Sequence, residues 1–469
     1  MKLWLLAALL CLGAGIAQAD IMVDARHVLR QKPPILGGVV INAHSPEFAT
    51  NANGIEFQRD LKAAGIRLVR SQAYPDARVP GHDLTYFDRN VTAILGTGAA
   101  PLFIQGIKPG AAYKQADGTP GGTVAGNLVF LVKRYLAPPY QLQTQYWEIG
   151  NEPDMKVDYA VATPEEYAVL FNACAEALTQ ADLREHVVLC GPAIAYGYHE
   201  PWWDNDLHNM RSRIMDTFLD RCRGSVDVVT YHDYSGGKAG EDLLNPPRHL
   251  DNKEDAGRAV TPGDAAPDSP TSDRGLAALL ARMRAMTFAR PLVGVGITEH
   301  NTYGNRHEVT QGLWNLALLR DALYDPLGRL STLFVFDDYG AQQGFPVYNE
   351  NKKPDYAYWA LWINGNLRGP DVLAQTTTGH LNPYGRPSLL ATATQDQAHL
   401  FVEVINRSDT PIMDTVTVTG EALTGQAQVS TMATGILPNV AKPVRLRPRF
   451  PYAFPPLSAT MFQFVRRRH

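Results

Sequence analysis

Short apolar runs alternate with longer segments of helical period from about residue 35 to residue 368. The runs are apolar throughout, which is typical of parallel strands buried on both faces. Their alternation with amphipathic helices predicts repeated βα units, and eight of them make an α/β fold with a (β/α)8 TIM barrel. The predicted strands cover residues 35–41, 66–70, 101–105, 145–149, 186–191, 226–231, 292–298 and 330–336.

The pattern changes at about residue 369, where the helical period disappears. Five strand-like segments follow, at residues 389–394, 399–405, 414–419, 426–431 and 458–465. They predict a C-terminal β-sandwich domain over residues 369–469. We expect residues 20–34 to join this sandwich and residues 35–368 to form the catalytic barrel.

The first 19 residues resemble a secretory signal peptide. Lys2 precedes an apolar run over residues 3–12, and an Ala-Gln-Ala cleavage pattern occupies residues 17–19. This order predicts an exported protein, periplasmic or extracellular. The run is too short to span a bilayer, and no other stretch is long and apolar enough, so we expect no membrane span.

Composition limits the remaining classes of function. The formal net charge of −4 gives no reason to expect nucleic acid as a partner. Cys174, Cys190 and Cys222 follow the leader, an odd number that leaves open one disulfide or three buried thiols. No Cys/His spacing indicates a metal site, and we expect neither a metal nor another cofactor.

Two carboxylates end strands on opposite sides of the predicted barrel. Glu152 follows the fourth strand in an Asn-Glu-Pro sequence, and Glu299 follows the seventh. The carboxyl ends of all barrel strands meet at one mouth, where barrel enzymes keep their chemistry. A pair of carboxylates across a cleft suits cleavage of glycosidic bonds, because one protonates the leaving oxygen while the other attacks the anomeric carbon or activates water.

Other predicted strand ends supply polar partners for such a pair. Arg70 ends the second strand, and its guanidinium beside Glu299 would keep that carboxylate ionised. Asn151 offers an amide to a sugar hydroxyl. His232 and Tyr234 end the sixth strand, where they could hydrogen-bond a carboxylate or a sugar hydroxyl.

Three further residues are candidates for the walls of the cleft. His44 and Gln105 end the first and third strands, and Trp202 follows the fifth. An indole in that position could stack on a sugar ring.

The motifs together resemble retaining glycoside hydrolases of clan A, with most similarity to families 39, 51 and 79. Residues 147–153, Trp-Glu-Ile-Gly-Asn-Glu-Pro, resemble the acid/base motif, and residues 297–301, Ile-Thr-Glu-His-Asn, resemble the nucleophile motif. The clan also has an arginine after strand two and a His-x-Tyr after strand six, matched here by Arg70 and residues 232–234. The resemblance implies Glu152 as acid/base, Glu299 as nucleophile and a polysaccharide or oligosaccharide substrate.

One motif departs from the clan, and two other functions stay open. Many clan members have a tryptophan at the tip of strand eight, where this sequence has Phe-Asp-Asp at residues 336–338. A glycan-binding pseudoenzyme and a transglycosylase would use the same residues.

A polar loop over residues 235–272 is long enough to form a lid or a wall of the cleft.

Overall fold

The computed structural model describes residues 20–41, 48–49, 52–72, 84–107, 123–153, 163–195, 206–235, 278–290, 293–302, 308–335, 347, 353–381, 387–421, 423–438 and 441–467. The predicted leader lies outside these residues, as does the predicted loop over residues 235–272 except Ser235. Among the described residues, no helix combines the length and apolar character that crossing a bilayer requires.

Eight parallel strands pair in chain order and close into a barrel, because the first of them also pairs with the last. They are β2 (Gly38–Val40), β3 (Leu68–Gln72), β4 (Ala100–Gln105), β5 (Gln145–Ile149), β6 (Val187–Ile194), β7 (Val228–Ser235), β8 (Gly294–Thr302) and β9 (Gly328–Leu333). The described helices are α1 (Ala52–Ala63), α2 (Leu84–Thr97), α3 (Val124–Leu136), α4 (Pro164–Gln180), α5 (Asp206–Cys222), α6 (Ala278–Arg284), α7 (Val309–Tyr324) and α8 (Tyr356–Asn366).

A second sheet has nine strands, one of which precedes the barrel in the chain and eight of which follow it. Its strands are β1 (Asp20–Gln31), β10 (Asp371–Thr377), β11 (Leu389–Gln395), β12 (His399–Asn406), β13 (Ile412–Thr419), β14 (Leu423–Met432), β15 (Lys442–Arg445), β16 (Arg449–Phe454) and β17 (Ser458–Arg466). Side chains from distant strands, such as Val416 on β13 and Phe462 on β17, share one apolar core, so the sheet curls into a sandwich. The predicted fold class is confirmed.

Strand β1 lies inside the sandwich sheet although it precedes the barrel in the chain. It pairs antiparallel with β10 and parallel with β13. The apolar residues Ile21, Val23 and Ala25 are buried, whereas Met22 between them is exposed. This period of two is typical of a strand with one buried face.

Helix α7 packs between the barrel and the sandwich. It is buried on almost every side, from Val309 to Leu323, because the barrel covers one face and the sandwich the other. A helix without a polar face is stable in water only in such a position. At the same interface, the buried Arg368 guanidinium forms an ion pair of 2.7 Å with Glu403 on β12.

The sandwich sheet ends in β15 and β16, the two edge strands. Both contain a proline, Pro443 or Pro451, and both expose basic side chains, Lys442 and Arg445 on β15 and Arg449 on β16. Proline and charge on an edge strand disfavour pairing with another sheet. We therefore attribute this run of basic residues to protection of the sheet edges.

Several predicted elements differ from the structure. The predicted strand 35–41 is reduced to β2, and the predicted strand 330–336 ends at Leu333. Strands β10, β15 and β16 were not predicted. The two alternatives for the cysteines are also resolved: Cys174, Cys190 and Cys222 are free and buried, so no disulfide joins them.

Candidate active site

The sharp end of strand β5 depends on Gly150. Its φ of 81° lies in the left-handed region that favours glycine, and a Cβ there would lie 3.0 Å from Ile107 Cδ1. The Gly150 N–H donates to the Gln105 carbonyl (2.8 Å), and the Tyr167 hydroxyl of α4 donates to the Ile149 carbonyl (2.6 Å). These contacts end the strand and turn the next two side chains toward the mouth.

Glu152 has a strained backbone that its neighbours maintain. Its φ of 49° is rare for a residue with a side chain and costs on the order of 1–3 kcal/mol. The Glu152 N–H donates to the Ala193 carbonyl at the end of β6 (2.8 Å), and Glu152 Oε1 lies 3.0 Å from His232 Nδ1. Its side chain is 24% exposed, so the carboxylate remains accessible from the cleft.

Glu299 faces the barrel interior because of an irregularity in β8. Tyr231 of β7 pairs with Ile297, but the next residue, His232, pairs with Glu299. Thr298 is therefore an extra residue, as in a β-bulge. Regular alternation would direct Glu299 outward with Ile297, which packs in the helix-facing core, and the bulge reverses this.

Arg70 contacts two carboxylates, those of Glu299 and Glu148. This fully buried side chain on β3 donates from Nη1 to Glu299 Oε1 (2.5 Å) and from Nη2 to Asn151 Oδ1 (2.5 Å). It also donates from Nε to Glu148 Oε2 (2.7 Å), and Nη2 lies 2.6 Å from the same oxygen. Burial lowers the pKa of Arg70, but the negative charges of Glu148 and Glu299 outweigh it, so the pKa is raised and the guanidinium stays charged.

Glu299 is held in its ionised form. Its second oxygen, Oε2, accepts a hydrogen bond of 2.6 Å from the Tyr234 hydroxyl. Burial alone would raise the pKa of Glu299, but the charges of His232 and Arg70 and the hydrogen bonds from Tyr234 and Arg70 lower it below its ordinary value.

His232 lies between the two mouth carboxylates. Its Nδ1 is 3.0 Å from Glu152 Oε1 and 3.5 Å from Glu299 Oε2. Burial lowers the pKa of His232, whereas the charge of Glu299 and the hydrogen bond and charge of Glu152 raise it, and the net shift is upward. One carboxylate oxygen from each glutamate and a ring nitrogen of His232 all lie within 4.8 Å of one another.

Among the described residues, this trio is the one group of His, Cys, Asp and Glu with spacing suited to a metal. Both oxygens of Glu299 already accept hydrogen bonds, from Arg70 and Tyr234. A guanidinium bound directly to one ligand oxygen opposes the approach of a cation. These contacts of Glu299 therefore disfavour metal binding by the trio.

The other predicted site residues have different outcomes. Arg70, Asn151, His232 and Tyr234 lie around the two glutamates, as described above. The Gln105 side chain is fully buried and donates to the neighbouring Gly106 carbonyl (3.0 Å), so it supports the end of β4 and not the carboxylates. His44 and Trp202 lie outside the described residues.

The end of the eighth barrel strand corrects the sequence-based prediction. The ladder between β8 and β9 ends where Leu333 pairs with His300, and the next residues pack at the mouth. Phe334 and Val335 form a small apolar cluster with Val40 and Tyr234. The aromatic residue at this tip is therefore Phe334, with its ring centroid 6.2 Å from that of Tyr234, and residues 336–338 lie outside the described part of the chain.

A buried polar network behind Glu299 was not predicted. Asn301 Nδ2 donates to the Phe334 carbonyl (2.6 Å), and Asn301 Oδ1 accepts from Gln311 (3.1 Å) and Asn315 (3.3 Å) on α7. His300 Nδ1 lies 2.8 Å from Asn315 Oδ1, and burial lowers the pKa of His300 to about 4, so its ring is neutral. The Phe334 N–H also donates to the His300 carbonyl (3.0 Å), so both backbone polar groups of Phe334 are hydrogen-bonded to this segment.

Glu148 is the second unpredicted site residue. It lies on the interior face of β5 with Tyr146, one layer below the mouth. The sequence does contain a signal for it: a carboxylate at an interior position of a buried strand needs a counter-charge. Arg70 occupies the corresponding interior position on β3 and is that counter-charge.

No family model and no curated protein match this sequence. Solved structures do match it. The family 51 alpha-L-arabinofuranosidase of Thermotoga petrophila has a TM-score of 0.66 at 15% identity, with 95% of this chain and 99% of that one covered. A family 39 beta-xylosidase of Caulobacter crescentus scores 0.64 at 14% identity, over 95% of this chain and 99% of that one.

A xyloglucanase of Paenibacillus polymyxa from glycoside hydrolase family 44 has a TM-score of 0.64 at 13% identity, over 96% of this chain and all of that one. Families 39 and 51, which the sequence motifs resemble, are thus among the matching structures, and the predicted resemblance is confirmed. At these identities the likeness is one of architecture. This chain has the fold of those glycosidases over 95–96% of its length.

Proposed function

We propose that this protein is a retaining glycoside hydrolase. The observation that carries the proposal is the spacing of Glu152 and Glu299: one carboxylate oxygen of each lies within 4.8 Å of the other across the barrel mouth. Retaining enzymes hold their two carboxyl groups about 5–5.5 Å apart, whereas inverting enzymes need about 6.5–9.5 Å to admit a water between them. The two roles also need different protonation states, and among the described residues a guanidinium contacts Glu299 but not Glu152.

In the first step, a Glu299 oxygen attacks the anomeric carbon while the bond from that carbon to the leaving oxygen breaks. Glu152 donates its proton to the leaving oxygen, so the departing sugar is neutral. A glycosyl-enzyme ester remains on Glu299. Arg70 and Tyr234 hold Glu299 ionised and oriented before the attack.

In the second step, Glu152, now a carboxylate, removes a proton from water. The water oxygen attacks the anomeric carbon, and the bond to Glu299 breaks. The product keeps the configuration of the substrate because each step inverts it once. His232 reaches both glutamates and balances the negative charge that moves between them.

The proposed substrate is a polysaccharide or an oligosaccharide. The matching structures carry the names of an arabinofuranosidase, a xylosidase and a xyloglucanase, so arabinofuranosides, xylosides and xyloglucan open the substrate screen. Phe334 at the tip of the eighth barrel strand is a half-buried aromatic surface against which a sugar ring can pack. We also propose export, on the strength of the leader pattern in residues 1–19.

The stereochemistry of hydrolysis tests the proposal. Proton NMR of the anomeric signals during cleavage of an activated aryl glycoside should show the substrate's own anomer as the first product, before mutarotation. The opposite anomer would contradict the retaining mechanism. Absence of hydrolysis over a broad panel of glycosides would favour a glycan-binding pseudoenzyme, and products extended by an added sugar acceptor would identify a transglycosylase.

Replacing Tyr234 with phenylalanine should lower kcat/KM about tenfold to a hundredfold, because a hydrogen bond to a charged group is lost. That hydrogen bond lowers the pKa of Glu299, so its removal raises that pKa. Glu299 must be ionised to attack, and the acid limb of the pH profile of kcat/KM should therefore move to higher pH. Tyr452→Phe in the sandwich is the matched control, and an unmoved acid limb in Tyr234→Phe would refute the assigned contact.

A further inference from the structure

Glu148 is a fully buried carboxylate inside the barrel, in direct contact with Arg70. Its side chain is wholly inaccessible to solvent, and its Oε2 accepts from Arg70 at 2.7 Å (Nε) with Arg70 Nη2 at 2.6 Å. Its other oxygen, Oε1, has no hydrogen-bond partner among the described residues. A buried carboxylate with one orphaned oxygen is costly, which points to a role beyond structure.

The geometry of the Arg70 guanidinium suggests what that role is. Glu148 holds one edge of the guanidinium through Nε and Nη2, and Asn151 accepts from Nη2 on the same side. Nη1 is then directed at Glu299 Oε1. Because the guanidinium is planar and rigid, fixing one edge fixes the direction of the remaining donors.

Charge provides a second argument. Arg70 carries one positive charge, and two buried carboxylates, Glu148 and Glu299, contact it. With Glu299 alone, the guanidinium would neutralise that carboxylate and weaken it as a nucleophile. With Glu148 present, the three groups carry a net negative charge, and Glu299 remains electron-rich.

We propose that Glu148 is a positioning residue that aims the Arg70 guanidinium at Glu299 and tempers its positive charge. The inference rests on the proposed function, since it concerns the same nucleophile. Glu148 does not touch the substrate, because it lies one layer below Glu152 and has no exposed surface.

Within the part of the chain that the structure describes, few charged and titratable groups surround this cluster. Glu299 faces Arg70 on β3, His232 and Tyr234 on β7, and Glu152 after β5. Two neutral groups lie near Glu148: burial raises the pKa of the Cys190 thiol and of the Tyr167 hydroxyl well above their ordinary values. The acid limb of the pH profile of kcat/KM therefore reports the pKa of Glu299, which the charges of these groups influence.

Glu148→Gln is the principal test, because it keeps the shape of the side chain and removes its charge. The amide oxygen can still accept from Arg70, so the guanidinium stays in place while its positive charge is no longer offset. We expect the acid limb of kcat/KM to move to lower pH by on the order of half a unit or more. We also expect a fall in kcat of about tenfold, with KM little changed, because the nucleophile is less basic.

Glu148→Asp separates orientation from charge, since it keeps the charge but shortens the side chain by one methylene. We expect an acid limb close to that of the wild type and a loss of about tenfold in kcat/KM. Tyr146→Phe, on the same face of β5 and without a contact to Arg70, is the matched control and should leave both quantities unchanged. If Glu148→Gln is not recovered folded, Glu148→Asp carries the test, and wild-type kcat/KM in that variant would overturn the orienting role.

The outcomes also distinguish this inference from the proposed function. A wild-type protein without glycosidase activity would refute the function. An active wild type, with a Glu148→Gln profile that superimposes on it in both kcat and the acid limb, would refute the role of Glu148 alone.

Discussion

Replacing Glu299 with glutamine should reduce glycoside hydrolysis by on the order of 10⁴-fold or more, because an amide cannot form the glycosyl-enzyme ester. The fold should survive, since the amide occupies the same space and still accepts from Arg70 or Tyr234. Initial rates on the best substrate from the screen measure the loss, and thermal unfolding checks the fold. Glu176→Gln on the exposed face of α4 is the matched control and should keep full activity.

Glu299→Ala extends this test by opening a space at the nucleophile. Azide can enter it and attack the anomeric carbon of an activated aryl glycoside directly. One displacement inverts the configuration, so the rescued product should be a glycosyl azide with the opposite anomeric configuration. If Glu299→Gln hydrolysed glycosides at a rate within tenfold of the wild type, Glu299 would not be the nucleophile.

Replacing Glu152 with glutamine should produce a loss that depends on the leaving group. For an unactivated glycoside we expect about 10²–10⁴-fold, the usual contribution of a general acid. For a dinitrophenyl glycoside the leaving group needs no proton, so the first step should remain fast. The second step still lacks its base, and a burst of dinitrophenol followed by slow turnover should appear in stopped-flow absorbance.

Azide provides the complementary test for Glu152→Ala. Here it attacks the glycosyl-enzyme on Glu299, so two displacements occur and the product should be a glycosyl azide with retained configuration. The opposite azide anomers from the two alanine variants would assign the two carboxylates independently of any rate. An equal loss on activated and unactivated substrates would contradict the acid/base role.

The barrel and the sandwich could be predicted from the sequence because their signals are local. Buried parallel strands give continuous apolar runs, and each run is followed by a helix of recognisable period. The capping box of α4 is an example, because Thr163 and Glu166 satisfy each other's backbone N–H as their spacing predicts. The short edge strands β15 and β16 were not predicted, because their proline and arginine residues obscure the alternation of apolar and polar positions.

The site was predictable in its residue types but not in its detailed geometry. Alternation along β8 directs Glu299 outward, and only the bulge at Thr298 turns it inward, a feature with no sequence signature of its own. The tip of the eighth barrel strand was misplaced because Phe334 and Val335 continue the apolar run without continuing the ladder. In both cases tertiary packing overrides local pattern.

Glu148 illustrates a different limit. Its position inside the barrel follows from the period of two along β5, but its function depends on a residue on another strand. Arg70 lies 78 residues earlier in the chain, on β3, and no local sequence pattern connects the two residues. Such pairings become visible only when the strands are assembled side by side.

The position of β1 has a consequence for synthesis of the protein. Ile21 pairs with Thr377 on one side and Val416 on the other, so the ribosome makes the entire barrel before either partner of β1 exists. At about 5–20 residues per second, the strand waits roughly 20–70 s with its apolar residues unpaired. The barrel can close during that interval, whereas the sandwich closes last and only if residues 20–31 are still free to enter it.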